Sequence, residues 1–156
     1  MDTFTLVHVV LSLIGIGSGL VVLYGMIRNK RMNSGTALFL ATTVLTSVTG
    51  FFFRFEKLLP SHVVGIISLA VLAVAIAARY LRNMAGSWRA AYVITAATAL
   101  YLNVFVLIVQ LFRKVPALKA VAPTQSEPPF AITQIVLMVI FIVLTIFAVK
   151  KFHPAV

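Results

Sequence analysis

No cysteine occurs in the 156 residues. That excludes disulfides, thiolate metal sites, iron–sulfur clusters and a cysteine nucleophile, and redox chemistry gives no guide to compartment. Acid is nearly as scarce. Asp2, Glu56 and Glu127 stand against 13 Lys and Arg. None of the three falls inside a long apolar run, which argues against a carboxylate proton relay through a membrane. There are three histidines, and no third ligand is evident for a histidine metal site, so no metal is expected. Charged residues make up 10% of the chain, where a soluble domain carries about a quarter.

What fills the chain instead is apolar. Hydrophobic residues are 62% of it and the mean hydropathy is +1.10. A soluble domain of this length lacks the polar surface to cover that much apolar side chain. Five long runs are almost free of charge, at about 4–27, 35–53, 61–80, 88–112 and 130–149. About 20 apolar residues in a helix match the thickness of the hydrocarbon core. A helix also satisfies its own backbone where no water can. The expected fold is all-α, a polytopic transmembrane helical bundle of five spans forming one domain over 1–156.

Connectors are short and basic or polar. The first run follows Asp2 and precedes Arg28, Lys30 and Arg31. A cleaved signal peptide has its bases first, so a retained helix is expected. Ser34 and Ser61 sit where N-caps belong. The loop 113–129 holds four prolines, and Pro116 is placed to open a short surface helix that Pro123 ends. With the N-terminus outside, inner connectors carry eight bases and outer ones five. The positive-inside bias therefore predicts N-out, C-in. Tyr24, Tyr80, Trp88 and Tyr92 then fall at the inner interface as belt aromatics. The net charge of +10 lies in clusters at segment ends, where lipid phosphates meet it, so nucleic-acid binding is not expected.

Helical spacing sorts the polar residues. His8, Ser12, Gly15 and Gly19 share one face of the first helix, and Thr43, Ser47, Gly50 and Arg54 one face of the second. Ala96, Ala99, Asn103, Val106 and Gln110 line the fourth, and Gln134, Met138, Phe141 and Thr145 the fifth. In the third, Ala70, Ala73 and Ala77 form a small-residue stripe. Small residues so spaced let helices approach in lipid, which explains most of them. The stronger polar groups gather toward the outer side: His8, His62, Gln110, Gln134, Arg54, Glu56, Gln125 and Glu127. His8 is the one ionisable side chain clearly inside a span, a position that tends to line a cavity or carry function.

Three chemistries suit this set. A small amphipathic ligand such as a quinone would place its ring among apolar side chains, with His8, Ser12, His62, Tyr101, Asn103, Gln110, Gln125, Glu127 and Gln134 as the candidate contacts. A haem b could take His8 and His62 as axial ligands. An oligomeric pore or transporter could form through the small-residue faces, although no inverted repeat is visible. Ser61–His62 and Ser126–Glu127 are adjacent pairs without catalytic spacing, so an enzyme is not expected. A partner subunit is the further option for a chain this small.

Four strings carry a resemblance: Thr49-Gly-Phe51, His62-Val-Val-Gly65, Ala99-Leu-Tyr-Leu-Asn-Val-Phe-Val106 and Ala122-Pro-Thr-Gln-Ser-Glu-Pro-Pro-Phe130. They resemble small bacterial multi-pass inner-membrane proteins with no assigned activity. The resemblance implies a bacterial inner membrane and draws attention to Asn103, Gln125 and Glu127. It transfers no catalytic residue and no ligand. The paired histidines of the four-helix haem cytochromes are missing. The expected function is binding of a small amphipathic ligand, or of a partner subunit, in a polar pocket of the outer leaflet. That pocket would lie between the first, third, fourth and fifth runs, under the loop 113–129. The alternative is a redox protein holding haem or quinone.

Overall fold

The computed structural model describes residues 2–53 and 60–154. Arg54 and Glu56, named above, lie outside them. The described residues are helical, with no strand: α1 Thr3–Ile27, α2 Asn33–Gly50, α3 Pro60–Ile76 continued by a π-helical turn Ala77–Leu81, α4 Trp88–Lys114, α5 Pro116–Val121 and α6 Pro128–Lys151. Four helical segments are long and apolar enough to cross a membrane: Thr3–Ile27, His62–Leu81, Trp88–Lys114 and Pro128–Lys151. They make this a membrane protein, since no aqueous core of this size could hide them. The short helix α5 forms where Pro116 predicted it.

Helix α2 differs from these four. It has 18 residues, and five of them are threonine. Three of its threonines return their hydroxyl protons to the helix itself: Thr42 to Leu38, Thr46 to Thr42 and Thr49 to Leu45, each at 2.7 Å. Such back-bonding leaves few polar atoms unpaired away from water. The helix starts two residues before the expected 35. Met32 precedes it in the left-handed region at φ 47°, so Ser34 is helical and not the cap. Pro60 likewise opens α3, placing Ser61 inside it. Helix α2 stops at Gly50, three residues short of expectation.

Close contacts fix how the helices lie. Gly50 meets His8, Gly15 meets Thr43, Gly19 meets Phe39 and Gly35 meets Val22. Helix α2 is therefore antiparallel to α1 along most of its length. Helix α4 touches every other helix of the bundle. It pairs with α1 at Asn103–Ser12 and with α6 at Tyr101–Phe141 and Tyr92–Phe152. One end of the bundle thus carries Asp2 and the 115–127 connector, and is called here the loop end. The other carries residues 28–32, the 82–87 turn and Phe152.

Packing is unequal between these ends. Near the C-terminal end the core is dense: Val22, Leu23, Met26, Phe39, Leu40, Leu72, Ala75, Ala78, Tyr92, Val93, Ala96, Ala99 and Leu100 are buried together. Tyr92 was expected at the interface, but it is 0% exposed because its ring stacks on Phe152 and lies under Arg79. Tyr24, Tyr80 and Trp88 are exposed as belt aromatics should be. The small stripe expected on α3 is also corrected. Ala70 and Ala73 are exposed and Ala77 is half-buried, while Ser68, Leu72, Ala75 and Ala78 face the core. Both faces of a lipid-bathed helix are apolar, so hydropathy does not mark the packed one.

Arg89 ties down the last helix by donating to the carbonyls of Val149 and Phe152, both at 2.8 Å. Cations and donors belong at a helix C-terminus, where carbonyls lack partners. The backbone N–H of His153 donates to Asn29 at 2.8 Å. Chain end and first turn are thereby stitched together.

Candidate functional site

In the loop half the packing thins. No residue of α1 before Gly15 is buried, nor any of α2 after Thr43. Every residue from Tyr101 to Gln110 is partly exposed, although other helices touch α4 here, at Ser12–Asn103 and at Gln134–Phe105. The buried side chains of this half include His62, Ser68 and Gln134. The half-bundle thus combines a sparse apolar core with buried polar groups, which need hydrogen-bond partners.

Its polar groups form a chain of contacts between α1, α2 and α4. Nearest the loop end, His8 Nδ1 meets Thr49 Oγ1 at 2.7 Å. The imidazole edge also packs on Phe53, with ring centroids 5.0 Å apart. One turn deeper, Ser12 donates to Asn103 Oδ1 at 3.2 Å. Deeper again, Gly15 lets α2 and α4 close on the α1 backbone. A Cβ there would lie 3.1 Å from Thr43 Oγ1, 3.3 Å from Asn103 Nδ2 and 3.3 Å from Thr42 Oγ1. Asn103 Nδ2 and Thr43 Oγ1 are buried and have no partner. Unmade hydrogen bonds of this kind cost about 1–3 kcal/mol each, so the site is poised to take a polar atom.

Gln134 enters from α6. It is buried, donates to the Phe105 carbonyl at 3.3 Å and leaves Oε1 unpartnered. His62 is buried on the first turn of α3, its ring 5.9 Å from Phe51. The two histidines thus pack on different phenylalanines of the turn that ends α2.

The expected site residues are not all brought together. Ser12 and Asn103 bond directly, and His8 lies one turn from Ser12 on the same face of α1. Gln110 continues the Asn103 face of α4 toward the loop end and is partly exposed. Tyr101 turns elsewhere, against Phe105 and Phe141. There it lines an apolar groove of about 520 Å³ between α4 and α6 that ends at Lys150. Gln125 bonds the Val109 carbonyl at 3.0 Å, with its backbone held at φ 61°. Glu127 serves its own loop: its carboxylate accepts from the Thr124 N–H and hydroxyl, at 3.1 and 2.7 Å, and from the Ser126 N–H at 3.1 Å. These bonds hold its carboxyl below the ordinary glutamate range.

The walls also differ from expectation. Helix α2, not α3, closes the polar cluster, through Thr42, Thr43 and Thr49. The signal was available in the threonine spacing of α2, which reads equally well as helix packing. A second polar feature lies outside the expected region. Arg79, on the π-helical turn, is 3% exposed. It donates to the Arg31 carbonyl and Asn33 Oδ1 at 3.0 and 2.8 Å, and its guanidinium lies 5.1 Å from the Tyr92 ring centre. Both described acids lie at the other end of the bundle, so carbonyl, amide and ring faces meet this charge.

No family model matches the chain, and no match is found among curated proteins or solved structures.

Proposed function

We propose that this chain is a five-span membrane protein that binds a small amphipathic ligand in its open half, between α1, α2 and α4. The difference in packing between the two halves carries this reading. The apolar core fills one end, while the other has little of it and leaves Asn103 Nδ2, Thr43 Oγ1 and Gln134 Oε1 without partners. An apolar surround with a few convergent polar groups is the usual make-up of a small-molecule site. Ser12 is engaged by Asn103 and His8 by Thr49.

The fifth crossing is α2. Its 18 residues extend about 27 Å, close to the hydrocarbon thickness of about 30 Å, and it runs beside α1. The bias of Lys and Arg supports a loop end that faces outside. The resemblance of its sequence strings supports a bacterial inner membrane. The ligand then enters from the outer leaflet.

Native mass spectrometry of the protein, extracted with its surrounding lipid, tests the reading. One amphiphile retained per chain is expected, and Asn103→Leu with Gln110→Leu should release it while helical content stays unchanged. Identical adducts in wild type and variant would overturn the site.

A further inference from the structure

At the loop end a cavity of about 290 Å³ is lined by Arg113, Lys119, Pro123, Thr124 and Gln125. Two of these five side chains are cationic and none is acidic. The Glu127 carboxylate is occupied by Thr124 and Ser126. Gln125 pins the cavity floor to α4 through the Val109 carbonyl, in a left-handed conformation that a residue with a side chain rarely adopts. The loop is therefore built in place and keeps two cations on one small space.

Position adds to charge. Arg113 follows Asn103, Val106 and Gln110 at offsets 3, 7 and 10 from Asn103, which is one helix face. That face leads from the open half to the cavity over about 15 Å. From Trp88, exposed at the far interface, to Arg113 is about 38 Å of helix. The hydrocarbon core is about 30 Å thick, and 40–45 Å with headgroups. Arg113 thus stands at the depth of lipid phosphates.

We infer that the ligand is a phosphate-bearing amphiphile, with its headgroup on Arg113 and Lys119 and its apolar chain running down α4 to Asn103. Guanidinium and ammonium groups suit phosphate oxygens through charge-assisted hydrogen bonds. This rests on the binding reading above and names the class of its ligand.

The test fills wild-type protein with phosphatidylglycerol or with diacylglycerol of the same acyl chains, which differ in the headgroup alone. Retention should favour phosphatidylglycerol at least about tenfold. Arg113→Gln with Lys119→Gln should erase that preference and leave diacylglycerol retention unchanged. A preference that is absent, or that survives in the double variant, while diacylglycerol is still held, overturns the headgroup site and spares the open half. Loss of both lipids from wild type sinks the binding reading and the headgroup site together. Inorganic phosphate, the other source of the same chemistry, should protect Lys119 from amine-reactive labelling no better than chloride does. Protection equal to that given by phosphatidylglycerol would assign the cavity to free phosphate and overturn the lipid.

Discussion

His8 Nδ1 and Thr49 Oγ1 lie 2.7 Å apart across α1 and α2. The Thr49 hydroxyl, with one proton, has the Leu45 and Thr46 carbonyls as acceptors at 2.7 and 3.1 Å, which favours its accepting from the imidazole. Neutral His8 is then the Nδ1–H tautomer, with the Nε2 lone pair left to accept from a ligand hydroxyl. The ¹⁵N spectrum of labelled protein should show Nδ1 protonated and Nε2 bare at neutral pH. Thr49→Val should redistribute the tautomers and cost about 1 kcal/mol, the scale of a hydrogen bond between helices in lipid. An Nε2–H signal in the wild type would contradict the assignment.

Two glycines of α1 should respond oppositely to alanine. A Cβ on Gly19 would lie 2.6 Å from Leu100 Cδ1 and 2.8 Å from the Phe39 ring, whereas at Gly17 nothing lies within 4 Å. Gly19→Ala should destabilise by about 1–3 kcal/mol through overpacking. Gly17→Ala should be neutral or stabilise by up to about 1 kcal/mol, the helix-propensity difference. Thermal unfolding in detergent, followed by circular dichroism, reads both.

Arg79 should tolerate no ordinary replacement. Its guanidinium bonds Asn33 and the Arg31 carbonyl while lying beside Tyr92. Both bonds leave from Nη2, and lysine lacks the flat, weakly hydrated guanidinium that lies beside the ring. Arg79→Gln should cost about 2–4 kcal/mol, because it leaves buried acceptors unmade, and Arg79→Lys should recover less than half. Urea unfolding in detergent measures both. A loss under about 0.5 kcal/mol, ordinary for surface sites, would show that the contacts do not hold the end together.

How far the sequence could be read depended on what lipid hides. Four of the five expected spans were legible, because length and lack of charge mark them wherever they pack. So was the face His8–Ser12–Gly15–Gly19, since each member departs from the greasy background at helical spacing. The partner of that face was not. Nothing in spacing tells whether the face will meet α2, α3 or α4; Asn103 came to Ser12 and Thr43 to Gly15. Burial of Tyr92 and Arg79 was equally silent, because a basic residue near a helix end reads as an interfacial anchor. Tyr101 stands two residues from Asn103 on α4, yet it faces α6. A helix turns about 100° per residue, and only the neighbours decide which direction becomes the site.

The loop should loosen in acid. Hydrogen bonds from Thr124 and Ser126 depress the Glu127 carboxyl, so the folded loop binds the proton less readily than the unfolded chain. Such a group adds stability above its unfolded value, near pH 4.3, and that stability fades as pH falls through the lower folded value. Amide exchange at Thr124 and Ser126, corrected for its intrinsic pH dependence, should accelerate in that range. Glu127→Gln should be fast already at neutral pH. Protection that persists unchanged in Glu127→Gln would contradict the role given to the carboxylate.

Absence of cysteine makes the decisive measurement clean, since any inserted thiol is the sole target. Single cysteines at Asn103, Val106 and Gln110, and at Ala96 and Ala99, can be exposed in sealed vesicles to a maleimide that does not cross membranes. An open loop half predicts labelling at 103, 106 and 110 from the face that carries the 115–127 connector, and silence at 96 and 99. If 103 and 110 are as silent as 96 from that face, the half-bundle is closed and no ligand enters it there.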